Sequence, residues 1–139
     1  MRNDPLTMED VVRISSKLVH ALNNSICALN GEEQVEWEDA PAYMREGLQM
    51  AIKHGFEKGV DPRQGHEDWM ASRIAQGWTL GPVKSIENKV SPCLIPYDDL
   101  PYEQRVKDSI RAGVVEFFKT QYLVAKENET GIDCSQKLA

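Results

Sequence analysis

Long apolar runs are missing from this 139-residue chain. The longest reach only a few residues, against the roughly 20 that cross a bilayer, and the start MRNDPLTMEDVV has no basic stretch leading into an apolar one. The expectation is a cytoplasmic protein with no membrane contact. Cysteine is scarce: Cys27, Cys93 and Cys134 are odd in number, widely spaced, and form no Cys-x-x-Cys pair. With no histidine at ligand spacing, they read as three reduced thiols rather than a zinc site or disulfide framework. An excess of positive charge is also lacking. Sixteen Lys and Arg against twenty-two Asp and Glu leave a net charge of −6, which excludes coating of duplex nucleic acid by bulk charge. Walker-type and dinucleotide glycine loops are absent. So is a nucleophile with its base: Ser72 neighbours Arg73, and Asp98 with Asp99 reads as helix capping. No enzyme activity, cofactor or metal site is expected.

What the chain does have is ordinary globular composition, 41% apolar and 27% charged, at a length suited to one domain. Val11, Ile14, Leu18, Ala21, Leu22, Ile26 and Leu29 recur at steps of three and four and predict a first helix over about 8–29. Thr7 and Asp10 suggest its capping box, and Asn30-Gly31 its stop. A second helix is expected from Asp39 to about His54, with Tyr43, Met44, Leu48, Ala51 and Ile52 inward and GFEKGVDPRQG ending it. A third is expected over Gly65–Gln76 with Gly77 behind it. A fourth is expected after an Asp98 or Asp99 cap, with Val106, Ile110, Val114 and Phe117 buried. The stretch Trp78–Tyr97 reads as a long loop or short β-hairpin between helices 3 and 4. The fold class is therefore mainly α, about four helices in one domain over 1–120, with a flexible tail over 121–139.

Two segments echo each other at an offset of 60: Trp37-Glu38-Asp39-Ala40-Pro41 with Arg45, and Tyr97-Asp98-Asp99-Leu100-Pro101 with Arg105. Duplication explains this, and so does the general suitability of aromatic-acid-acid-apolar-Pro for starting helices.

One pattern is more specific. His66, Trp69 and Arg73 stand at steps of three and four, followed by Gly77-Trp78, Gly81-Pro82 and Pro96-Tyr97-Asp98-Asp99-Leu100-Pro101. This order of rare residues over about 63–119 resembles the RyR domain, the repeat unit of ryanodine receptors that also occurs as small stand-alone proteins in bacteria and phages. Trp37–His54 is similar to the helix that accompanies stand-alone members. The resemblance implies a helical module with a short β element, and nucleotide binding. In the family, adenine nucleotides are suggested for receptor repeats and NAD-derived signals for bacterial conflict systems. It does not imply a channel.

The residues suit such a ligand on their own chemistry. Trp69, Trp78 and Tyr97 offer flat surfaces for a base, each stacking contact worth about 1–3 kcal/mol. Arg73 offers a planar fork to phosphate, and His66, Lys84, Arg105 and Lys107 could add charge. Charge is distributed accordingly, with residues 61–120 at −1 and residues 1–60 at −4. Structural roles compete with these. Both tryptophans suit a core, Arg73 could pair with Glu67, Asp98 or Asp99, His66 could be structural, and Lys84 and Lys89 could be solvated loop charges. The expectation is a non-enzymatic module that senses or sequesters a small nucleotide, in the host cytoplasm if phage-encoded. The alternative is a protein-interaction or assembly module. Helix 1 leaves a homodimer open, and hydrolysis of a bound nucleotide through a water activated by His66 or an acid is a third reading.

Overall fold

Thr7 and Asp10 open the first helix reciprocally. The Asp10 amide donates to Thr7 Oγ1 at 3.1 Å and the Thr7 amide to Asp10 Oδ2 at 3.0 Å, satisfying two amides that a helix start leaves free. Helix α1 then runs over Met8–Leu29 and stops at Asn30, with Gly31 at φ +70°. The computed structural model describes residues 6–123. After α1 come a 3-10 turn at Trp37–Asp39, α2 at Ala42–Lys58, α3 at Pro62–Ala75, and strands β1 (Thr79–Leu80) and β2 (Val90–Ser91). A second 3-10 turn at Tyr97–Asp99 leads into α4 at Tyr102–Phe118, which passes into a π-helical turn at Lys119–Leu123. The mainly α class, with four helices and a small β element between the third and fourth, is as read from the sequence. The tail expected from residue 121 starts inside the π-helical turn, where Tyr122 packs against the core. Residues 124–139, including Cys134, lie outside the described residues.

Several helix boundaries differ from expectation for physical reasons. Asp39, Asp98 and Asp99 cap no α-helix. They sit in the 3-10 turns, and α2 and α4 start after Pro41 and Pro101 without a side-chain cap. Proline's fixed φ presets that start. Helix α2 does not end at His54 but continues through Gly55 to Lys58, and Gly59 at φ +89° stops it. Gly55 is a packing residue, because a Cβ there would strike the side chains of Val60 and Val115. Helix α3 starts three residues earlier than expected, since Asp61 accepts from the Arg63 amide at 3.0 Å and Pro62 occupies the first turn.

The core joins Val11, Val12 and Val19 of α1, Ile52 and Phe56 of α2, and Val115 of α4, each fully buried aliphatic or aromatic side chain contributing about 1.5–3 kcal/mol. The buried faces of α1 and α4 are rotated from the expected stripes. Ile14, Leu18, Leu29 and Phe117 are exposed, and Ser15, Ser16, Gln104 and Asp108 are buried in their stead. Ser15 meets its own need by donating to Val11 O at 2.6 Å, which lets a small polar residue sit where a polarity pattern forbids one. Helix α3 contributes nothing to this core: its fully buried side chains are His66 and Arg73, both ionisable.

The echo at an offset of 60 is carried by the three-dimensional structure. In the first half, His20 Nε2 donates to Val35 O at 2.7 Å and its ring meets Trp37 edge-on at 5.5 Å. In the second, His66 Nε2 donates to Ile95 O at 2.8 Å with Tyr97 at 6.0 Å. Arg45 clasps the first 3-10 turn through Trp37 O and Glu38 O at 3.5 and 3.4 Å, and Arg105 the second through Leu100 O and Asp98 O at 3.1 and 2.8 Å. Each half is thus a helix, a connection, a 3-10 turn and a 17-residue helix. The halves differ in their connections, residues 30–36 against 76–96.

The longer connection holds the β element. Its strands pair in parallel, Thr79 with Val90 and Leu80 with Ser91, and a lone antiparallel bridge joins Ser85 to Val90. It is therefore not the simple hairpin considered from sequence. Lys89 takes φ +55° at the return, and its ammonium donates to Gln76 O at 2.9 Å, at the C-terminus of α3. That placement suits the negative pole of a helix and makes Lys89 a cap rather than a solvated loop charge.

Candidate functional site

Because α3 turns ionisable rather than apolar side chains toward the other helices, the space beneath it does not close. A cavity of about 900 Å³ lies there, lined by all four helices and the long connection, within the usual size of small-molecule sites. Of the eight residues expected from sequence, His66, Trp69, Arg73, Trp78, Lys84 and Lys107 line it. Tyr97 and Arg105 do not. Tyr97 lies between the guanidinium groups of Arg63 and Arg105, at 5.0 and 5.4 Å from its ring centre, while Arg105 holds the 3-10 turn.

Arg73 is the most telling wall residue. It is 9% exposed, and its guanidinium stands 5.6–5.8 Å from the ring centres of Tyr43, Trp69 and Trp78. Its Nη1 donates to Gln76 Oε1 at 3.0 Å. No carboxylate pairs with it among the described residues. Glu67, Asp98 and Asp99, the expected partners, are engaged elsewhere or exposed: Glu67 accepts from the Tyr97 amide at 3.3 Å and Asp98 binds Arg63 at 2.7 Å. Burial pushes the Arg73 guanidinium below its ordinary value, opposed only by Tyr43. The three rings offset part of that desolvation, yet they supply no anion. Trp78 is buried, with its Nε1 donating to Tyr43 Oη at 3.2 Å, whereas Trp69 is half-buried and keeps part of its indole on the cavity.

His66 forms a second group with Asp108 and Arg111. Its ring is 3% exposed and stacks on Trp69 at 5.5 Å, and Nδ1 stands 3.5 Å from Asp108 Oδ2. Since Nε2 donates to Ile95 O, protonation at Nδ1 completes a doubly bonded imidazolium. Burial opposes that charge, but the hydrogen bonds to Asp108 and Ile95 O and the charges of Asp108 and Glu67 outweigh it, so the pKa is raised. Arg111 reaches the same carboxylate at 3.4 Å and passes against Gly65, where a Cβ would meet its guanidinium.

A third group gathers around Glu32. Lys107 pairs with it at 2.6 Å, Gln104 donates to it, and Cys93 Sγ contacts Gln104 Oε1 at 3.1 Å. Burial alone would push the Lys107 ammonium down and the Glu32 carboxyl up, but the pair reverses both. Lys84 reaches Cys27 Sγ at 3.8 Å. Burial raises the Cys93 thiol. Both described cysteines are unbridged, and no cluster suited to a metal ion occurs among the described residues.

Sequence reasoning missed the first-half contribution. His20, Asn23 and Cys27 of α1 line the same cavity as His66, Trp69 and Arg73. Their steps of three and four repeat those of the recognised pattern at an offset of 46, a signal that was available. Glu32, Tyr43, Asp108 and Arg111 carried no such signal, because their roles depend on which helices meet.

The fold and cavity together define a small helical domain with an interior lined by arginine and aromatic side chains. The profile of the RyR domain matches residues 48–125, more than half of the chain and a wider stretch than the motif alone, and the chain belongs to that family. No solved structure matches it. No helix among the described residues is long and apolar enough to cross a membrane.

Proposed function

We propose that this RyR domain is a non-enzymatic binding module for a small anionic nucleotide, of adenine, ADP-ribose or cyclic type, which it senses or sequesters. On this reading it is a stand-alone bacterial or phage member working in the cytoplasm, the host's if phage-borne. The observation that carries the reading is Arg73: a buried guanidinium on the wall of an open cavity, ringed by three aromatic side chains and without a carboxylate. A phosphate provides the missing counter-charge through a bidentate contact, and the open part of Trp69 provides a surface for a base. Lys84 and Lys107 add positive charge to the walls, although Lys107 is already committed to Glu32.

Calorimetry with ADP-ribose, ATP and cyclic dinucleotides tests this directly. At least one binds the wild type, and Arg73→Ala weakens it by about 1.5–3 kcal/mol, as loss of a charge-assisted hydrogen bond does, with thermal stability retained. Absence of heat with all three at high concentration abandons the reading. Self-association is the second reading, favoured by the apolar outer groove where Leu18 and Leu22 of α1 meet Ile110, Gly113 and Phe117 of α4. A second copy of the chain is its occupant, and sedimentation of the wild type as a monomer at high concentration removes it.

A further inference from the structure

Asn23 has an unmet need that its neighbours lack. Its Oδ1 is buried and has no hydrogen-bond partner among the described residues, while the adjacent Asn24 donates to Val35 O at 2.9 Å and His20 to the same carbonyl at 2.7 Å. Asn23 lines the same cavity as Trp69 and Arg73, and it stands on α1 at the register that Trp69 holds on α3. Buried carbonyl oxygens in native proteins are almost always paired, by protein, water or ligand. Oδ1 is shut off from the cavity as well as from solvent, and rotation of the carboxamide about χ2 would turn it toward that space; we propose that Asn23 is a specificity residue of the site, which makes this turn to read an amino group on the ring of the bound ligand. The inference rests on the nucleotide reading above and refines it.

The chemistry is narrow. Oδ1 accepts, so the ligand must present an N–H, and the Nδ2 of the same amide donates to a neighbouring ring nitrogen. An exocyclic amine beside a ring nitrogen is the edge that adenine offers, and asparagine is among the side chains that match it with two bonds. The α3 wall then takes charge and ring face, and the α1 wall takes the ring edge.

The test pairs two ligands that differ in one group. Calorimetry is run with ADP and with purine riboside 5′-diphosphate, which lacks only the 6-amino group, on wild type, Asn23→Leu and Arg73→Ala. Wild type is expected to prefer ADP by about tenfold or more, the discrimination a two-bond amide contact provides. Asn23→Leu binds both alike, and Arg73→Ala loses affinity for both while keeping the preference. Equal binding of the two by wild type, or a preference that survives Asn23→Leu, overturns the role of Asn23 and leaves the nucleotide reading standing. Failure of wild type to bind any nucleotide overturns both. Thermal melting without ligand supplies the control. An isosteric apolar replacement of an unpaired carbonyl leaves the melting temperature unchanged or higher, whereas a fall of several degrees marks Asn23 as a structural residue and overturns the proposal.

Discussion

In both halves of the molecule a histidine donates to the carbonyl two residues ahead of an aromatic ring, and an arginine clasps the turn that follows. From that shared frame the halves diverge. The first places Asn23 and Cys27 on the cavity; the second places Trp69 and Arg73 at the matching steps and adds the long connection with Trp78. Histidine sites differ likewise: Asp108 faces His66 at 3.5 Å, while no carboxylate pairs with His20 among the described residues. Backbone hydrogen bonding keeps two halves alike because both must satisfy the same carbonyls. Side chains that only face a cavity are free of that demand, and their chemistry differs between the halves.

The sharpest way to break the comparison is Trp78→Ala, which truncates a buried indole that has no counterpart in the first half. It should cost about 3–5 kcal/mol in chemical denaturation, with a smaller loss for Trp37→Ala, whose ring is half-buried. If Trp37→Ala costs as much, the second half is not the more dependent on its aromatic side chains. A pH series comes next. The folded pKa of His66 is raised above its ordinary 6.5, so the folded state holds the proton more tightly than the unfolded state. That contribution is whole below the unfolded value and is lost as pH rises through the folded one. Melting temperature should decline as pH rises from the ordinary histidine value through the raised folded one. His66→Gln flattens the decline; a slope that His66→Gln does not change refutes the assignment to the Asp108 and Glu67 side of α3 and α4. The smallest effects belong to the clasps. Arg105→Ala and Arg45→Ala should each cost about 0.5–1.5 kcal/mol. Arg105 should be the larger, since its bonds are shorter, 2.8 and 3.1 Å against 3.4 and 3.5 Å. Equal losses would mean that bond length at these turns decides nothing.

Helix number and order were legible because caps and apolar periodicity are local. Thr7, Asp10, Gly31 and Gly77 act where they stand. The inward faces of α1 and α4 were not, since Ser15 and Ser16 are small enough to bury and Asp108 is drawn inward by His66 and Arg111, a partner set made only by tertiary contact. Six of eight site residues reached one cavity because they share α3 or the segments packed under it. Tyr97 and Arg105 lie off that cavity, one beside two guanidinium groups and the other clasping a turn, arrangements that look, in sequence, like groups awaiting a ligand. The spacing of Asn23 with His20 and Cys27 was there to be read, but nothing local separates it from the adjacent Asn24 until its oxygen is found buried and unpaired.

The absence of apolar core residues on α3 has a thermodynamic corollary. Loosening that helix exposes ionic and aromatic–cation contacts and little aliphatic surface, so its opening carries a smaller heat-capacity change than separation of α1, α2 and α4. Charged contacts buried under α3 are screened little while the helix stays packed, so added salt acts mainly on its loosened state.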